Sequence, residues 1–594
     1  MHKQYSLVGC FLLLVSFWSS ALAQPFVWPD AWSVDAAEIQ ERLAEGELPR
    51  MTLRNATSSG VRTFNPIISS ESNSVVDLEQ ALGARLLTKG PDSEEWLPFG
   101  ASGFEVSEDG LVVDVTLREG VRWSDGTPVT IEDYLLTYTL ELDPDIGAAG
   151  FDGWFIEGEQ IMLEALDERT LRFTFPAPDR IAFVLVGSLL PTPDHILGEI
   201  YREGGAEAFR QAWGTDTDPN DTVWTGPWVP TSYSPDERVI FQRNPHYGEW
   251  NVDAAGNPLP YISEIVTTIA DQQAQLNLYI AGELDLYNPA NLDEIGVINV
   301  AIADEDIDAT ILEDASPVAS STFFVFNWNL ARDPWLETLF RDVRFRQAMS
   351  HLTDREAIVD LVYGGSAVPA FSSVYAVLDF WVYHDAPSFD YDPEAALALL
   401  AELGFEERNG QGILVDGEGR ELSFTIATNS GNANREQTLQ IISDAMREVG
   451  VDAQILTLDF NLLVDQLLSE GEDRPFEAIL IGLSGGNRDW PFGTNTVACT
   501  GNLHMYNRSG ECLTDEELRA EQLFFQGRQT LDTDEAQQIA FELQRVESEL
   551  LPVIYTVSPM AHFSWLNRLG GAHPEELIDA IVGSRQTVLS FIRD

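Results

Sequence analysis

The sequence predicts an α/β protein that folds as two or three subdomains. The chain has 594 residues, too many for one hydrophobic core. Its second half alternates strand-like and helix-like segments, a pattern typical of sheets flanked by helices. Its hydrophobic content of 44% is that of a folded protein. After residue 25 there is no apolar run of roughly 18 residues, the length that a membrane-spanning helix needs.

The first 23 residues have the pattern of a secretory signal peptide. Lys3 precedes the apolar run 7–18, and small residues precede a cleavage site after Ala23. Residues 7–10 also fit a lipoprotein box, so a lipid anchor on Cys10 is the alternative. We therefore expect an exported, periplasmic protein that is soluble after cleavage, followed by an N-terminal surface leader over residues 24–50.

The net charge is strongly negative, −62 by formal count. The acidic residues are spread along the chain and do not form one tail. Because no basic stripe offsets this field, binding to nucleic acid is disfavoured. The charge indicates a solvated acidic surface on a protein from a salty habitat.

Removal of the signal peptide leaves two cysteines, Cys499 and Cys512, 13 positions apart. In an exported chain we expect them to pair; the alternative is two free thiols. Such a bridge would stabilise the fold by about 3 kcal/mol in the chain-entropy model.

The first half predicts a mixture of strands and helices. Thr130, followed by acidic residues, is an N-cap signal for the second of the helices. Strands are predicted over 111–118, 170–175, 238–244 and 263–270, and helices over 35–47, 130–142 and 273–284.

The second half has a regular alternation. Strands are predicted over 321–328, 421–429, 451–458 and 475–482, and helices over 342–365, 393–405, 434–450 and 460–471. Strands that alternate with helices of this length predict a parallel sheet with right-handed crossovers.

Six ordered stretches resemble one protein family, the extracytoplasmic solute-binding proteins of ABC importers, of the dipeptide/oligopeptide-binding type (family 5). The stretches are TFNP (63–66), TLREGVRWSDGTPVTIEDYLLTY (116–138), TGPWVPTSYSPDERVIFQRNPHY (225–247), GELD (282–285), DVRFRQAMSHLTDREAIVDLVYGG (342–365) and YDPEAALALLAELGF (391–405). The second stretch is a strand, a tight turn and a capped helix start, so it identifies a fold and carries no chemistry.

The resemblance implies a two-lobed periplasmic-binding-protein fold, type II-like with an extra subdomain in the first lobe, that closes by a hinge over its ligand. Lobe I would comprise 51–320 plus 557–594, with an inserted subdomain at about 77–205, and lobe II would comprise 321–556. The implied partners are a peptide or oligosaccharide solute and the transmembrane permease subunits of an ABC importer. A monomer is expected, without a cofactor.

The segment GLSGG (482–486) fits the G-x-S-x-G elbow of serine hydrolases, with Ser484 as the nucleophile. An elbow needs a helix directly after the serine, whereas GGNRDWP (485–491) contains helix-breaking residues. We therefore expect no catalysis, and a secreted hydrolase that uses Ser484 remains the alternative from another class.

The same loop is a candidate ligand site, because ligands of open α/β sheets bind outside the carboxyl ends of strands. Glycines let the backbone approach a ligand, and the polar and aromatic side chains offer hydrogen bonds and a flat face. The candidates are Gly485, Gly486, Asn487, Asp489 and Trp490. In peptide-binding relatives an Asp in the corresponding loop contacts the peptide's α-ammonium, and Asp489 is the nearest match; the alternative is an Asp that only caps a turn.

Further candidates come from the first lobe and from the hinge. Ser69, Ser70 and Asn73 follow the opening motif, in a region that the family uses to line the cleft; a helix N-cap cluster is the alternative. Trp328 ends a strand at the presumed hinge, where it would either stack on solute or fill the core.

The resemblance implies a peptide slightly ahead of an oligosaccharide, because peptides are the family's default solute although some long relatives take oligosaccharides. Sugars bind to flat aromatic faces and dense planar hydrogen bonds, and seven of the 15 Trp are candidates for the cleft: Trp123, Trp154, Trp213, Trp224, Trp228, Trp328 and Trp490. No metal site is predicted, since the ligand spacings of zinc helices and cysteine clusters and the phosphate-binding loop are missing from the sequence.

Overall fold

The computed structural model describes residues 24–29, 36–44, 50–69, 81–89, 95–148, 150–484, 490–491, 494–571 and 588–593. The predicted signal peptide and Cys10 lie outside the described residues.

Before residue 320 the described chain has six α-helices and sixteen strands. The helices are α1 (Ala36–Ala44), α2 (Ile131–Glu141), α3 (Ala182–Ser188), α4 (Glu199–Gln211), α5 (Gln272–Ile280) and α6 (Leu292–Ala303). The strands are β1 (Phe26–Val27), β2 (Thr52–Thr57), β3 (Leu87–Lys89), β4 (Trp96–Pro98), β5 (Ala101–Val106), β6 (Val112–Leu117), β7 (Phe155–Ile156), β8 (Glu159–Gln160), β9 (Met162–Ala165), β10 (Thr170–Thr174), β11 (Trp228–Ser234), β12 (Arg238–Arg243), β13 (Asn251–Val252), β14 (Glu264–Ile269), β15 (Leu286–Tyr287) and β16 (Ala309–Leu312).

From residue 320 onward the described chain has nine α-helices and eleven strands. The helices are α7 (Pro334–Arg341), α8 (Val343–His351), α9 (Arg355–Val362), α10 (Pro393–Glu402), α11 (Ala433–Glu448), α12 (Phe460–Leu468), α13 (Thr494–Val497), α14 (Asp515–Gln529) and α15 (Thr533–Leu550). The strands are β17 (Ser320–Phe326), β18 (Ala367–Pro369), β19 (Glu407–Arg408), β20 (Leu414–Val415), β21 (Ser423–Asn429), β22 (Asp452–Leu458), β23 (Ala478–Ser484), β24 (Val553–Pro559), β25 (Phe563–Leu566), β26 (Leu569–Gly570) and β27 (Phe591–Ile592).

Lobe I is built on the four-stranded sheet β11-β12-β14-β2.

The leader, residues 24–50, is part of this lobe, contrary to the expectation of a surface segment. Strand β1 pairs in parallel with β13, and Phe26, Trp28 and Ile39 are buried in the lobe I core. The Trp28 indole donates a hydrogen bond to Asn251, 3.0 Å away. The physical reason is the burial of two large aromatic side chains, which outweighs the polarity of the neighbouring residues.

The region proposed as the inserted subdomain contains a second four-stranded sheet, β5-β6-β10-β9, which is antiparallel throughout and has its own hydrophobic core. Helix α2 begins after Thr130, as the sequence predicts. The Asp133 carboxylate accepts a hydrogen bond from the backbone N–H of Thr130, 2.7 Å away, so the acid closes a capping box.

Lobe II is built on the six-stranded sheet β18-β24-β17-β23-β21-β22. The predicted parallel arrangement holds for β22, β21 and β23, which follow one another through helical crossovers. It is wrong for β17, which runs antiparallel to both neighbours, β23 and β24. The reason is topological, because β17 follows the lobe I segment and begins beside the last residue of β23, with Ser320 opposite Ser484.

The predicted helix over 342–365 is two helices, α8 and α9. Asp354 caps the second, accepting a hydrogen bond from the N–H of Ala357 at 2.9 Å. Arg355 is buried and donates to the carbonyl of Tyr555 at 2.9 Å, among other backbone oxygens. Both side chains therefore have structural roles in this part of the fold.

Two chain segments pass between the lobes, before β17 and after β24. Strand β24 runs to Pro559, so it extends past the predicted lobe boundary at 556. The next strand, β25, pairs with β15 and β16. The lobe boundaries themselves remain a prediction.

Candidate functional site

A cavity of about 480 Å³ lies on one face of the lobe II sheet, where the sheet meets lobe I. This volume is in the range of small-molecule sites. With the predicted boundaries, Ile181 and Val184 come from lobe I, and the other described lining residues come from lobe II. The cavity is therefore shared between the lobes.

The floor of the cavity follows from the period of two in β-strands. On β17, Ser321 and Phe323 point to this face. Cross-strand pairing places Leu483 of β23 opposite Ser321 and Tyr555 of β24 opposite Phe323, so all four line the cavity. The alternate residues of β17, including Phe324, pack into the lobe II core on the other face.

Helices α14 and α15 cover this face as an antiparallel hairpin. Phe524 of α14 and Leu543, Glu547 and Leu550 of α15 line the cavity. Their spacing along α15, four and then three residues, places them on one side of the helix. The segment 371–375 and Tyr506 also line the cavity.

Glu547 is the one charged side chain among the described lining residues. Its carboxylate accepts a hydrogen bond from the hydroxyl of Ser373, 2.5 Å away. Burial in the apolar wall raises the pKa of Glu547 to about 7, although the Ser373 hydrogen bond lowers it in part. The site therefore holds a carboxylate that is only partly ionised at neutral pH.

Two tyrosine hydroxyls accompany this carboxylate. Tyr506 and Tyr555 line the cavity, and neither hydroxyl has a hydrogen-bond partner among the described residues. Burial raises the pKa of both phenols, and the charge of Glu547 raises them further, so both stay protonated. Both are available to donate to a bound group.

A buried ion pair joins the lobes beside the cavity. Arg528 of α14 contacts both carboxylate oxygens of Asp179 in lobe I, at 3.0 and 2.7 Å. The backbone N–H of Arg180 donates to the carbonyl of Arg528 at 2.8 Å. Because Asp179 immediately precedes the segment with Ile181 and Val184, this pair fixes the lobe I wall against lobe II.

Of the residues proposed from the sequence, Trp490 lines this cavity. It is 2% exposed, with its ring stacked on Trp381 at 5.8 Å between centroids. A Cβ atom on Gly527 would meet the Trp490 ring at 2.1 Å, which shows how closely the helix approaches it. The Trp490 ring therefore forms part of the cavity wall, and little of its surface is exposed.

Two other proposed residues lie away from the cavity. Ser69 is buried in lobe I, 5% exposed. Trp328 is fully buried in the lobe II core, with its ring against Tyr506 and under the guanidinium of Arg346. In this structure Trp328 fills the core and is not open to solute.

The remaining proposed ligand residues lie outside the described residues: Ser70, Asn73, Gly485, Gly486, Asn487 and Asp489. The two ends of the candidate loop, Ser484 and Trp490, both line the cavity. Their ligand roles stay predictions.

Ser484 has none of the partners of a hydrolase nucleophile among the described residues. His504 contacts Glu517 and Thr496, and His562 contacts Ser366 with its Nε2 atom 2.8 Å from the hydroxyl. Ser366 and His562 are buried, 3% and 2% exposed, and lie outside the cavity lining. This Ser–His contact therefore has no access to a substrate.

The structure joins Cys499 and Cys512 in a disulfide, with their Cα atoms 5.2 Å apart. Two groups of side chains have the spacing of metal ligands, Cys499, Cys512 and Glu521, and Cys499, His504 and Glu517. Both depend on Cys499, whose sulfur is committed to the disulfide.

Comparisons with known proteins agree on one family. The model for "Bacterial extracellular solute-binding proteins, family 5 Middle" matches residues 94–503. The chain is 35% identical, over 591 residues, to a probable ABC transporter-binding protein of Deinococcus radiodurans; the match covers 97% of this chain and 98% of that protein. Within the described residues, no helix has the length and apolarity to cross a bilayer.

Solved structures share the fold. The oligopeptide-binding protein AppA of Bacillus subtilis, in complex with a nonapeptide, matches with a TM-score of 0.77 at 20% identity, covering 92% of this chain and 100% of AppA. The periplasmic binding protein MelB of Agrobacterium fabrum, in complex with stachyose, matches with a TM-score of 0.78 at 22% identity, covering 96% of this chain and 92% of MelB.

Proposed function

Because this chain belongs to the bacterial extracellular solute-binding proteins of family 5 and is the substrate-binding component of an ABC transporter, we propose that it captures peptides in the cavity between its lobes. We also propose that the protein is an exported monomer and that it delivers the peptide to the permease of an importer. The cavity is shared by both lobes, as closure over a solute requires.

The chemistry of the lining is the observation that carries the choice of peptides. Most lining side chains are aliphatic or aromatic, and among the described ones only Asn495 and Glu547 bear planar polar groups. An oligosaccharide needs many such groups to satisfy its hydroxyls, because a buried hydroxyl without a partner costs about 1–3 kcal/mol. Apolar peptide side chains need only area.

The tryptophans support the same choice. Those proposed as sugar platforms are at most 5% exposed: Trp123, Trp154, Trp213, Trp224, Trp228, Trp328 and Trp490. Each packs within a core or wall and has little free face on which a pyranose could stack. Oligosaccharide binding is therefore the outcome that would contradict the proposal.

We also propose that the protein binds without catalysis. Its cavity contains Ser484, but among the described residues no histidine contacts that hydroxyl. Replacement of Ser484 by Ala should leave a bound peptide intact and its affinity nearly unchanged. Hydrolysis by the wild type that is lost in S484A would revive the hydrolase alternative.

The proposal is tested by titration calorimetry with a pool of mixed peptides and a panel of neutral oligosaccharides. We expect heat from the peptides only, and loss of that heat in Val184→Trp, whose indole would fill the cavity. Val297→Trp, at a 47% exposed valine of α6, is the matched control and should bind as the wild type does. Binding of oligosaccharides alone would overturn the choice of peptides, and equal binding by V184W would overturn the site.

A further inference from the structure

We propose that Glu547 forms a subsite for a cationic group of the bound solute, an ammonium or a guanidinium, in a cavity lined by aromatic rings. The inference rests on the proposed function, because it concerns the same cavity. It adds a specificity that neither the fold nor the relatives' names state.

The charge balance of the cavity is the first argument. Within the described chain, no Arg, Lys or His approaches the Glu547 carboxylate within the 4.0 Å of an ion pair, although Glu547 faces the cavity from α15. Ser373 is its one hydrogen-bond donor among the described residues, whereas a carboxylate can accept about four hydrogen bonds. A carboxylate in an apolar wall without a cation is costly unless a ligand supplies the charge.

The surrounding rings are the second argument. The aromatic residues that line the same cavity are Phe323, Phe371, Tyr375, Trp490, Tyr506, Phe524 and Tyr555, and the Phe371 ring already lies under the guanidinium of Arg355. A cation over the face of such a ring is attracted by its quadrupole, more so where water is excluded. A neutral sugar can stack on such rings but gains no ion pair from the negative charge, whereas a positive group gains from both, so the combination favours a positive group.

Among the described residues, the titratable groups that line the cavity with Glu547 are Tyr375, Tyr506 and Tyr555, and burial raises the pKa of all three phenols, so none ionises near neutral pH. The described lining therefore supplies no positive charge to offset Glu547. The guanidinium that acts on Tyr506 is that of Arg346, which donates to the carbonyls of Phe340, Leu550 and Leu551. Arg346 is therefore held by backbone oxygens and makes no ion pair with Glu547.

The raised pKa of Glu547, about 7, agrees with this account. A bound cation would favour the ionised carboxylate and lower its pKa. Affinity for a cationic solute should therefore increase as the pH rises from about 6 to 8, and affinity for its neutral analogue should not.

The test uses four matched peptide pools that separate the two sources of charge. The pools carry either lysine or norleucine at the variable position, each with a free or an acetylated amino terminus. Norleucine keeps the aliphatic stem of lysine and removes its ammonium. A preference for lysine assigns the subsite to a side chain, and a preference for the free amino terminus assigns it to the α-ammonium.

The decisive variant is Glu547→Gln, which keeps the shape and the acceptor for Ser373 and removes the charge. Glu549→Gln, an exposed position two residues along α15, is the matched control. We expect the wild type and E549Q to prefer a cationic pool by about tenfold or more, and E547Q to lose that preference. Circular dichroism and melting confirm that each variant is folded.

The outcomes separate this inference from the proposed function. The subsite is overturned if peptides bind and E547Q keeps the full preference for the cationic pool. It is also overturned if the wild type binds the neutral pool equally well. Either result leaves peptide capture standing. Binding of neutral oligosaccharides with no binding of any peptide pool overturns both.

Discussion

Replacing Glu547 by Gln should stabilise the solute-free protein, and the gain should depend on pH. The folded-state pKa of Glu547 is about 7, raised from 4.5 by burial. Because the folded state disfavours the ionised form, the penalty is nearly absent below pH 4.5 and is fully present above pH 7. Glutamine has no ionised form and avoids the penalty.

The magnitude follows from the size of that shift. Each pKa unit corresponds to about 1.4 kcal/mol, so the full penalty is about 3 kcal/mol at pH 8 and less than about 1 kcal/mol at pH 5. Glu547 is partly exposed to the cavity, so solvent screening reduces this figure. We expect the advantage of E547Q over the wild type in free energy of unfolding to grow by about 1–3 kcal/mol from pH 5 to pH 8.

Urea unfolding at pH 5 and pH 8 measures this gain, after bound solute is removed by unfolding and refolding. The comparison between wild type and variant cancels the other acidic residues, which titrate equally in both proteins. Glu549→Gln is the control and should show no such pH dependence. A gain of the same size at both pH values, or a loss of stability at pH 8, would refute the reasoning.

Three further predictions concern stability. Asp179→Ala should lower the free energy of unfolding in urea by about 3 kcal/mol, because it leaves Arg528 buried without its carboxylate. Glu168→Ala, at an exposed position, is the control, and an equal loss in both variants would contradict the role of the ion pair. Cys512→Ser should cost about 3 kcal/mol by loss of the bridge to Cys499, and an unchanged urea midpoint would contradict it. The melting temperature should rise with NaCl, because the net charge of −62 repels itself at low salt; a flat or falling curve would show otherwise.

Much of the fold could be predicted because its signals are local. The cap at Thr130 and the parallel pairing of β21 with β22 depend on neighbouring residues and on hydrophobic period, and both occur as predicted. The antiparallel placement of β17 could not be predicted, because its neighbours in the sheet come from residues 478–484 and 553–559. The role of the leader was missed, although the aromatic residues Phe26 and Trp28 are a signal that could have found it.

The cavity lining overlaps in part with the residues proposed from the sequence, whose ligand roles stay predictions. The end of strand β23 and Trp490 do reach the cavity, as the rule for strand ends suggests. Glu547 was missed because it is one of 96 acidic residues and lies in a helix with an ordinary amphipathic pattern. Only the fold brings it to the same cavity as Ser373 and Tyr506, which are distant in sequence, and Tyr555, which lies on the following strand.

The crystal structure of the wild-type protein saturated with its tightest-binding peptide is the most direct test of the account. We predict peptide density between the β17 face of lobe II and Val184 of lobe I, with a positive group of the peptide within about 3.2 Å of the Glu547 carboxylate. Density for the peptide elsewhere, with this cavity empty, would contradict the account.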